Sequence, residues 1–263
     1  MQPARAAPPR VVYDPRAAGM RKKGSGVGSL IVIGGGCYGH LHATRLLNAN
    51  RRGQIAFDRV VIVDRETTHK ARHAIGDRPD VRYVVSDWDA FLLDYLADAE
   101  ATSGDHLVPA PLAPHLLANW LLAALKADLP TRTVSWETVT HTVDQPYARH
   151  GQDGAFYVSF ADWICPVECT EPAICPAIRS PRTWEQATFL RDRLGADPAV
   201  ADLAIFVCRL LTGGIGTVPV AELQAARARF RALADARPDD SLVCLVATVS
   251  ACHGAIAQLR IGA

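Results

Sequence analysis

The chain has 263 residues, 49% of them hydrophobic, enough to bury one large core or two small ones. With 28 basic against 27 acidic residues, a net charge of +1 and no long basic block, it lacks the electrostatic grip that nucleic acid or anionic lipid demands. No apolar run approaches the ~20 residues needed to span a bilayer, and the start of the chain lacks a signal-peptide core, so no membrane is expected and the cytoplasm is the expected location.

Residues 1–28, rich in Pro, Ala, Arg and Gly, show no sustained apolar period and read as a flexible extension. Met20, opening Met20-Arg21-Lys22-Lys23, is an alternative start to Met1. The first strand then runs from Leu30 into the glycine turn Gly34-Gly35-Gly36-Cys37-Tyr38-Gly39 and a helix to about residue 50. Ala43, Leu46 and Leu47 fall on one helical face, spaced to cover a sheet. Arg59 to Asp64 supplies a second strand and Val81 to Val85 a third, followed by an amphipathic helix over 87–101. His106 to Val108 is a short fourth strand, the Pro109–Pro114 loop a candidate wall of a site, and 115–127 an apolar helix. Strands alternating with helices imply a parallel sheet with right-handed crossovers.

A soft boundary falls near residue 130. Beyond it, residues 133–139 and 156–160 cluster β-formers as a hairpin or as two sheet-extending strands. A cysteine-rich loop over 165–176 precedes a helix over 183–194, a strand over 203–208, a glycine turn, a helix over 220–236 and a strand over 242–249. The fold class expected is α/β. A Rossmann-like domain over 29–130 is followed by a second α/β domain over 131–263 with a βαβαβ-like core.

Gly34, Gly36 and Gly39 match G-x-G-x-x-G in the setting its mechanism needs, after a strand and opening a helix. The first makes the tight turn, the second admits a pyrophosphate, and the third lets helix and strand pack closely. Asp64, 25 residues beyond Gly39 at the end of the second strand, is placed to hold ribose hydroxyls and to favour NAD over NADP. Arg65 beside it can pair with a 2'-phosphate instead. Cys37 and Tyr38 lie within the turn, where a helix N-terminus lowers a thiol pKa; a small residue fitting a crowded turn is the plainer reading of Cys37.

Cys165, Cys169 and Cys175, spaced C-x3-C-x5-C with Pro166 and Pro176, sit on a loop whose packing does not require them. Among seven cysteines, such crowding suits zinc or an iron–sulfur cluster, or else redox-active thiols. Cys252 in Ser250-Ala251-Cys252-His253-Gly254 is the preferred fourth ligand and His253 the second choice. Adjacent residues on extended backbone face opposite ways, so one of the pair is expected to face the site. Cys208 and Cys244 read as core residues. Gly213-Gly214-Ile215-Gly216-Thr217 reads as a tight strand-to-helix connection, with an anion-binding turn as the alternative. His40 and His42 do not share a helical face. Asp162, Trp163, Arg179, Arg182 and Trp184 either shape a pocket or form its rim. No catalytic residue is marked by spacing; His115 and His253 are candidates from strand-end placement alone.

Residues 29–127 resemble the nucleotide-binding half of Rossmann-type NAD(P) proteins. The triple glycine Gly34-Gly35-Gly36 is also similar to siroheme-pathway dehydrogenases and to NAD-binding modules of potassium-uptake systems. The whole chain, through G-G-G-C-Y-G, C-P-x-x-C-x-E-P-x-x-C-P and S-A-C-H-G, resembles a group of uncharacterised bacterial proteins that carry these motifs together. The resemblance implies the fold and the grouping of the motifs. Together these features lead us to expect a cytoplasmic NAD(P)-dependent oxidoreductase with a metal or iron–sulfur site and a small-molecule substrate; a homo-oligomer is left open. A nucleotide or redox sensor and an S-adenosylmethionine-binding protein are the alternatives.

Overall fold

The computed structural model describes residues 27–98, 102, 104–109, 113, 115–166 and 169–263. Most of the expected extension, Met20 within it, and residues 110–112 and 114 of the expected wall lie outside the described residues.

The first half runs β1 (Val27–Ile33), α1 (Cys37–Arg51), β2 (Phe57–Asp64), α2 (Lys70–Ile75), β3 (Val81–Val85), α3 (Trp88–Tyr95), β4 (His106–Val108) and α4 (Leu116–Asp128). The second runs β5 (Val134–Glu137), β6 (Tyr147–His150), β7 (Phe156–Ser159), β8 (Ile174–Cys175), β9 (Ser180–Pro181), α5 (Gln186–Leu194), β10 (Asp202–Val207), β11 (Arg209–Thr212), β12 (Ile215–Pro219), α6 (Val220–Ala236), β13 (Leu242–Val249) and β14 (His253–Ile261). The protein is a mixed α/β fold with six helices among the described residues.

The first sheet has the order β11-β12-β4-β1-β2-β3. β4, β1, β2 and β3 are parallel, whereas β12 joins β4 antiparallel and pairs antiparallel with β11. Its strands are apolar on both faces, as a doubly covered parallel sheet requires. Leu30 and Val32 of β1, with Val60 and Ile62 of β2, pack on Ala43, Leu46 and Leu47 of α1. Ile31, Ile33, Val61 and Val63 point the other way, into the core that holds α3, α4 and α6. The glycines at 213–214 do not connect a strand to a helix as expected. They turn a β-hairpin, with φ of +54° and +77°, the paired left-handed conformation of tight hairpins. The hairpin leaves the second half of the chain to complete the first sheet, so strands from both sides of residue 130 share it.

The second sheet has the order β10-β13-β14-β7-β6, with β5 also on β14. Only β10 and β13 are parallel; the other pairings are antiparallel, which replaces the expected βαβαβ-like core. β7 and β5 lie end to end along one edge of β14, opposite His253–Ile256 and Gln258–Ile261, so they extend the sheet separately. α3 ends at Tyr95, well short of the expected 101. Asp87 caps its N-terminus, while Asp94 sits in the last turn, where the helix dipole opposes a negative charge.

α4 and α6 fill the space between the sheets in one continuous core with Phe206, Val246 and Leu259. α1 and α2 cover the outer face of the first sheet, and α5 that of the second.

Candidate functional site

Two features stand beyond the carboxyl ends of the strands: the glycine turn of β1 and a pocket lined by thiols. At the turn, Gly34 has φ of +86° and donates its amide to Val63 O at 2.8 Å. A Cβ on Gly39 would stand 1.7 Å from Gly34 O, so helix and turn touch backbone to backbone. A Cβ on Gly35 would strike His69, whose ring covers it, and Gly35 O accepts from Ala71 N at 2.9 Å. Gly36, the N-cap of α1, differs: a Cβ there meets nothing within 4 Å, and no side chain caps the helix. Gly36 and Cys37 are exposed, while Tyr38 is half-buried.

Asp64 ends β2 beside this turn. Its carboxylate accepts from Gly35 N at 2.5 Å and from Glu66 N at 3.0 Å. Arg65 turns away from it, ion-paired to Asp87 at 2.6 Å and 5.6 Å above the Trp88 ring. Lys70, which sequence reasoning passed over, brings its ammonium to 3.7 Å from the Cys37 sulfur and adds a positive charge to the turn. No motif marks it; α2 is short, and only the fold brings it back to the glycines.

The pocket has a volume of about 490 Å³ and lies where Pro109 leaves β4 and Ser250 leaves β13. Cys165, Cys169 and Cys252 line it together, joined by Glu171 and His253. His42 of α1 and Gly214 and Gly216 of the β11–β12 hairpin close its other side. Cys252 and His253 both face it, against the expectation of one. They sit where the β13–β14 turn passes into the strand, and the alternation of extended backbone does not yet hold. Cys175 is buried in β8 and does not line the pocket, whereas Cys208, expected in the core, does. Cys244 is fully buried in β13 as expected.

N–H groups attend two of the three thiols. Trp184 Nε1 donates to the Cys252 sulfur at 3.4 Å, and Glu171 N to the Cys169 sulfur at 3.4 Å. The Trp163 indole stands near Cys165, but its buried N–H makes no hydrogen bond. Behind them Arg182, only 4% exposed, donates to Glu171 O at 3.2 Å, and Ala251 N donates to the Glu171 carboxylate at 3.0 Å. Glu171 and Arg179 hold left-handed φ values of 47° and 53°, strained conformations for non-glycine residues.

Burial pushes the Cys165 and Cys252 thiols up, and that of Cys208 to about 12. It pushes His42 and His253 down, with Glu171 opposing the shift at His253. The His253 ring is open to solvent, but within a concavity that surrounding protein crowds. His115 stands apart from the pocket, 3.5 Å from Asp153. Among the described residues, no three His, Cys, Asp or Glu side chains converge as the ligands of a single ion. No described helix is long and apolar enough to cross a membrane.

The fold and site define a mixed α/β protein with a glycine turn at one sheet and a thiol-lined pocket at the seam of two. Residues 117–262, more than half of the chain, match the family AF_1314_C, described as "Uncharacterized protein, C-terminal domain", and the chain belongs to that family. The match opens in α4 and takes in the second sheet, the β11–β12 hairpin and the cysteine loop. The chain has no match among curated proteins or among solved structures.

Proposed function

We propose that the protein is a cytoplasmic oxidoreductase that binds NAD or NADP at the glycine turn and a metal or iron–sulfur group among the pocket thiols. The observation that carries the nucleotide reading is Asp64, held against the Gly35 amide at the end of β2; the parallel run β4-β1-β2-β3 supports a Rossmann-type reading. In this reading the pyrophosphate meets the free amides at the start of α1, where the helix dipole and Lys70 favour negative charge. The Asp64 carboxylate has lone pairs beyond those used by Gly35 and Glu66 and takes the ribose hydroxyls. Because Arg65 is committed to Asp87, the acid sets the preference and NAD is favoured over NADP.

The bound dinucleotide supplies hydride chemistry; the protein's part is to orient it and to shape the pocket beside β4. Pro109 and His42 connect that pocket to the first sheet. No Lys or Arg side chain lines it among the described residues, and Glu171 does, which favours a neutral or cationic small molecule over an anionic one.

Calorimetric titration with NAD+, NADH, NADP+ and S-adenosylmethionine tests the reading, using Gly36→Val as the control. The space around Gly36 lets the fold accept this side chain, while a phosphate approaching the amide meets it. The expected result is NAD binding weakened at least about tenfold, roughly 1.4 kcal/mol, in a variant that stays folded and loses no more than the ~1 kcal/mol that a poor N-cap residue costs. Binding of the methyl donor alone would replace the dinucleotide. Nucleotide affinity without turnover of any acceptor would favour a sensor.

A further inference from the structure

We infer that Tyr157 is the proton-transfer residue of the 490 Å³ pocket, backed by Asp153 and His115 as a relay to solvent, and that the substrate is a neutral alcohol or its carbonyl. The inference rests on the nucleotide side of the proposed function and supplies the proton acceptor that no spacing in the sequence marks. Tyr157, in β7, lines the pocket together with Thr248 and Ala255. These three are neighbours in register across β7, β13 and β14, so they share one face of the second sheet. His115 lines a narrow cleft with the same Thr248 and Ala255.

The Tyr157 hydroxyl donates to Asp153 Oδ2 at 2.5 Å, and His115 Nδ1 stands 3.5 Å from the same oxygen. That nitrogen is buried and makes no hydrogen bond, so it can take a proton from the carboxyl. Asp153 Oδ1 accepts from Ala155 N at 3.1 Å, which fixes the carboxylate in the β6–β7 turn. Gly151 holds the phenol in place, because a Cβ there would stand 2.5 Å from the Tyr157 ring. The His115 side chain is 35% exposed, so the relay ends at solvent. Burial and the Asp153 hydrogen bond push the Tyr157 phenol up to about 12, so it works by passing its proton on and not by ionising alone. His42 and His253 line the pocket too, but burial pushes both down and makes them weaker proton acceptors. Oxidation of an alcohol removes a hydride and a proton, and nicotinamide chemistry accepts the first. The hydroxyl proton passes to the Tyr157 oxygen as the Tyr157 proton moves to Asp153 Oδ2 and on to His115 Nδ1, leaving the carbonyl product and an imidazolium that solvent discharges. Reduction runs the same path backwards. Tyr157 is the group that touches substrate; Asp153 and His115 are positioning residues that act through it.

The first measurement needs no substrate: nitrogen-15 NMR of the full chain with labelled histidine, in which His115→Gln identifies the His115 signals. Tyr157→Phe and Asp153→Asn should each shift the His115 Nδ1 resonance, and an unmoved resonance in both variants would overturn the relay. The second is turnover of NAD+ with a panel of small primary, secondary and benzylic alcohols. Tyr157→Phe and Asp153→Asn should lower kcat at least about 100-fold, the scale of general acid–base catalysis, and leave the KM for the alcohol and the affinity for NAD+ within about twofold. Imidazole in the buffer should restore part of the rate lost in His115→Gln. Undiminished kcat in Tyr157→Phe, or a loss carried by KM alone, would overturn the assignment and leave the oxidoreductase standing. NAD+ binding without turnover of any alcohol would overturn the substrate class. Failure of the parent to bind NAD+ would remove the nucleotide reading itself, and this inference with it.

Discussion

The glycines of the turn look alike in sequence and do different work. Gly39 is required by contact, because a methyl group there overlaps Gly34 O at 1.7 Å. Gly39→Ala must therefore push α1 off the end of β1, and overpacking of this kind costs about 1–3 kcal/mol. Urea denaturation should show that loss without any ligand present, whereas Gly36→Val, which meets no backbone overlap and loses only a favourable N-cap residue, is expected to act mainly on binding. Equal stability of Gly39→Ala and the parent would mean that the helix shifts freely, and the turn would then not be a rigid anion cradle. The spacing of the glycines and of Asp64 was legible because it is local, set within one strand, turn and helix. Lys70 and the N–H groups aimed at the sulfurs were not, since each depends on a contact between segments that the sequence does not rank. Cys208 packs against the main core as expected, and that it also lines the pocket was not legible, because the neighbouring hairpin forms that wall.

At the level of elements, the central strands could be read from their continuous apolar runs, but the partners they chose could not. β14 follows the cysteine–histidine motif, and its small residues Gly254, Ala255 and Ala257 give a weak β signal. It is nonetheless fully paired, with β13 on one side and β7 and β5 on the other. Its far end is secured by Arg132, which follows α4. The guanidinium donates to Gly262 O at 2.6 Å, to Ala234 O at 2.7 Å in the last turn of α6, and to Asp240 O at 2.5 Å. One cation thereby satisfies the carbonyls at a helix C-terminus and ties that helix to the second sheet. Arg132→Met keeps most of the aliphatic stem and removes the donors, and should cost about 2 kcal/mol, the scale of charged hydrogen bonds. Hydrogen exchange should locate the loss at the end of α6 and around residue 262; uniform protection along α6 would show that Arg132 is not its cap.

Across the whole molecule, the two sheets that contribute to the pocket pack on α4 and α6, which share one core. Their polar tie is Asp128 to Arg227, a bidentate pair with both bonds at 2.7 Å, largely withdrawn from solvent. The Arg227 hydrogen bond holds the Asp128 carboxyl below its ordinary range, ahead of the opposing effect of burial. An acid whose pKa is depressed on folding stabilises the folded state above its unfolded value, about 3.9, and loses that contribution as pH falls through the folded value. Asp128→Asn should therefore cost about 1–3 kcal/mol near neutral pH, because it also leaves Arg227 partly buried without its counter-ion. The gap between parent and variant should narrow as urea melts are taken from pH 7 through pH 4 and below. A gap constant with pH would assign the loss to packing alone. Because the same two helices pack between the two sheets, hydrogen exchange in Asp128→Asn should rise around the pocket more than at the glycine turn, whose residues all belong to one sheet and its own helices.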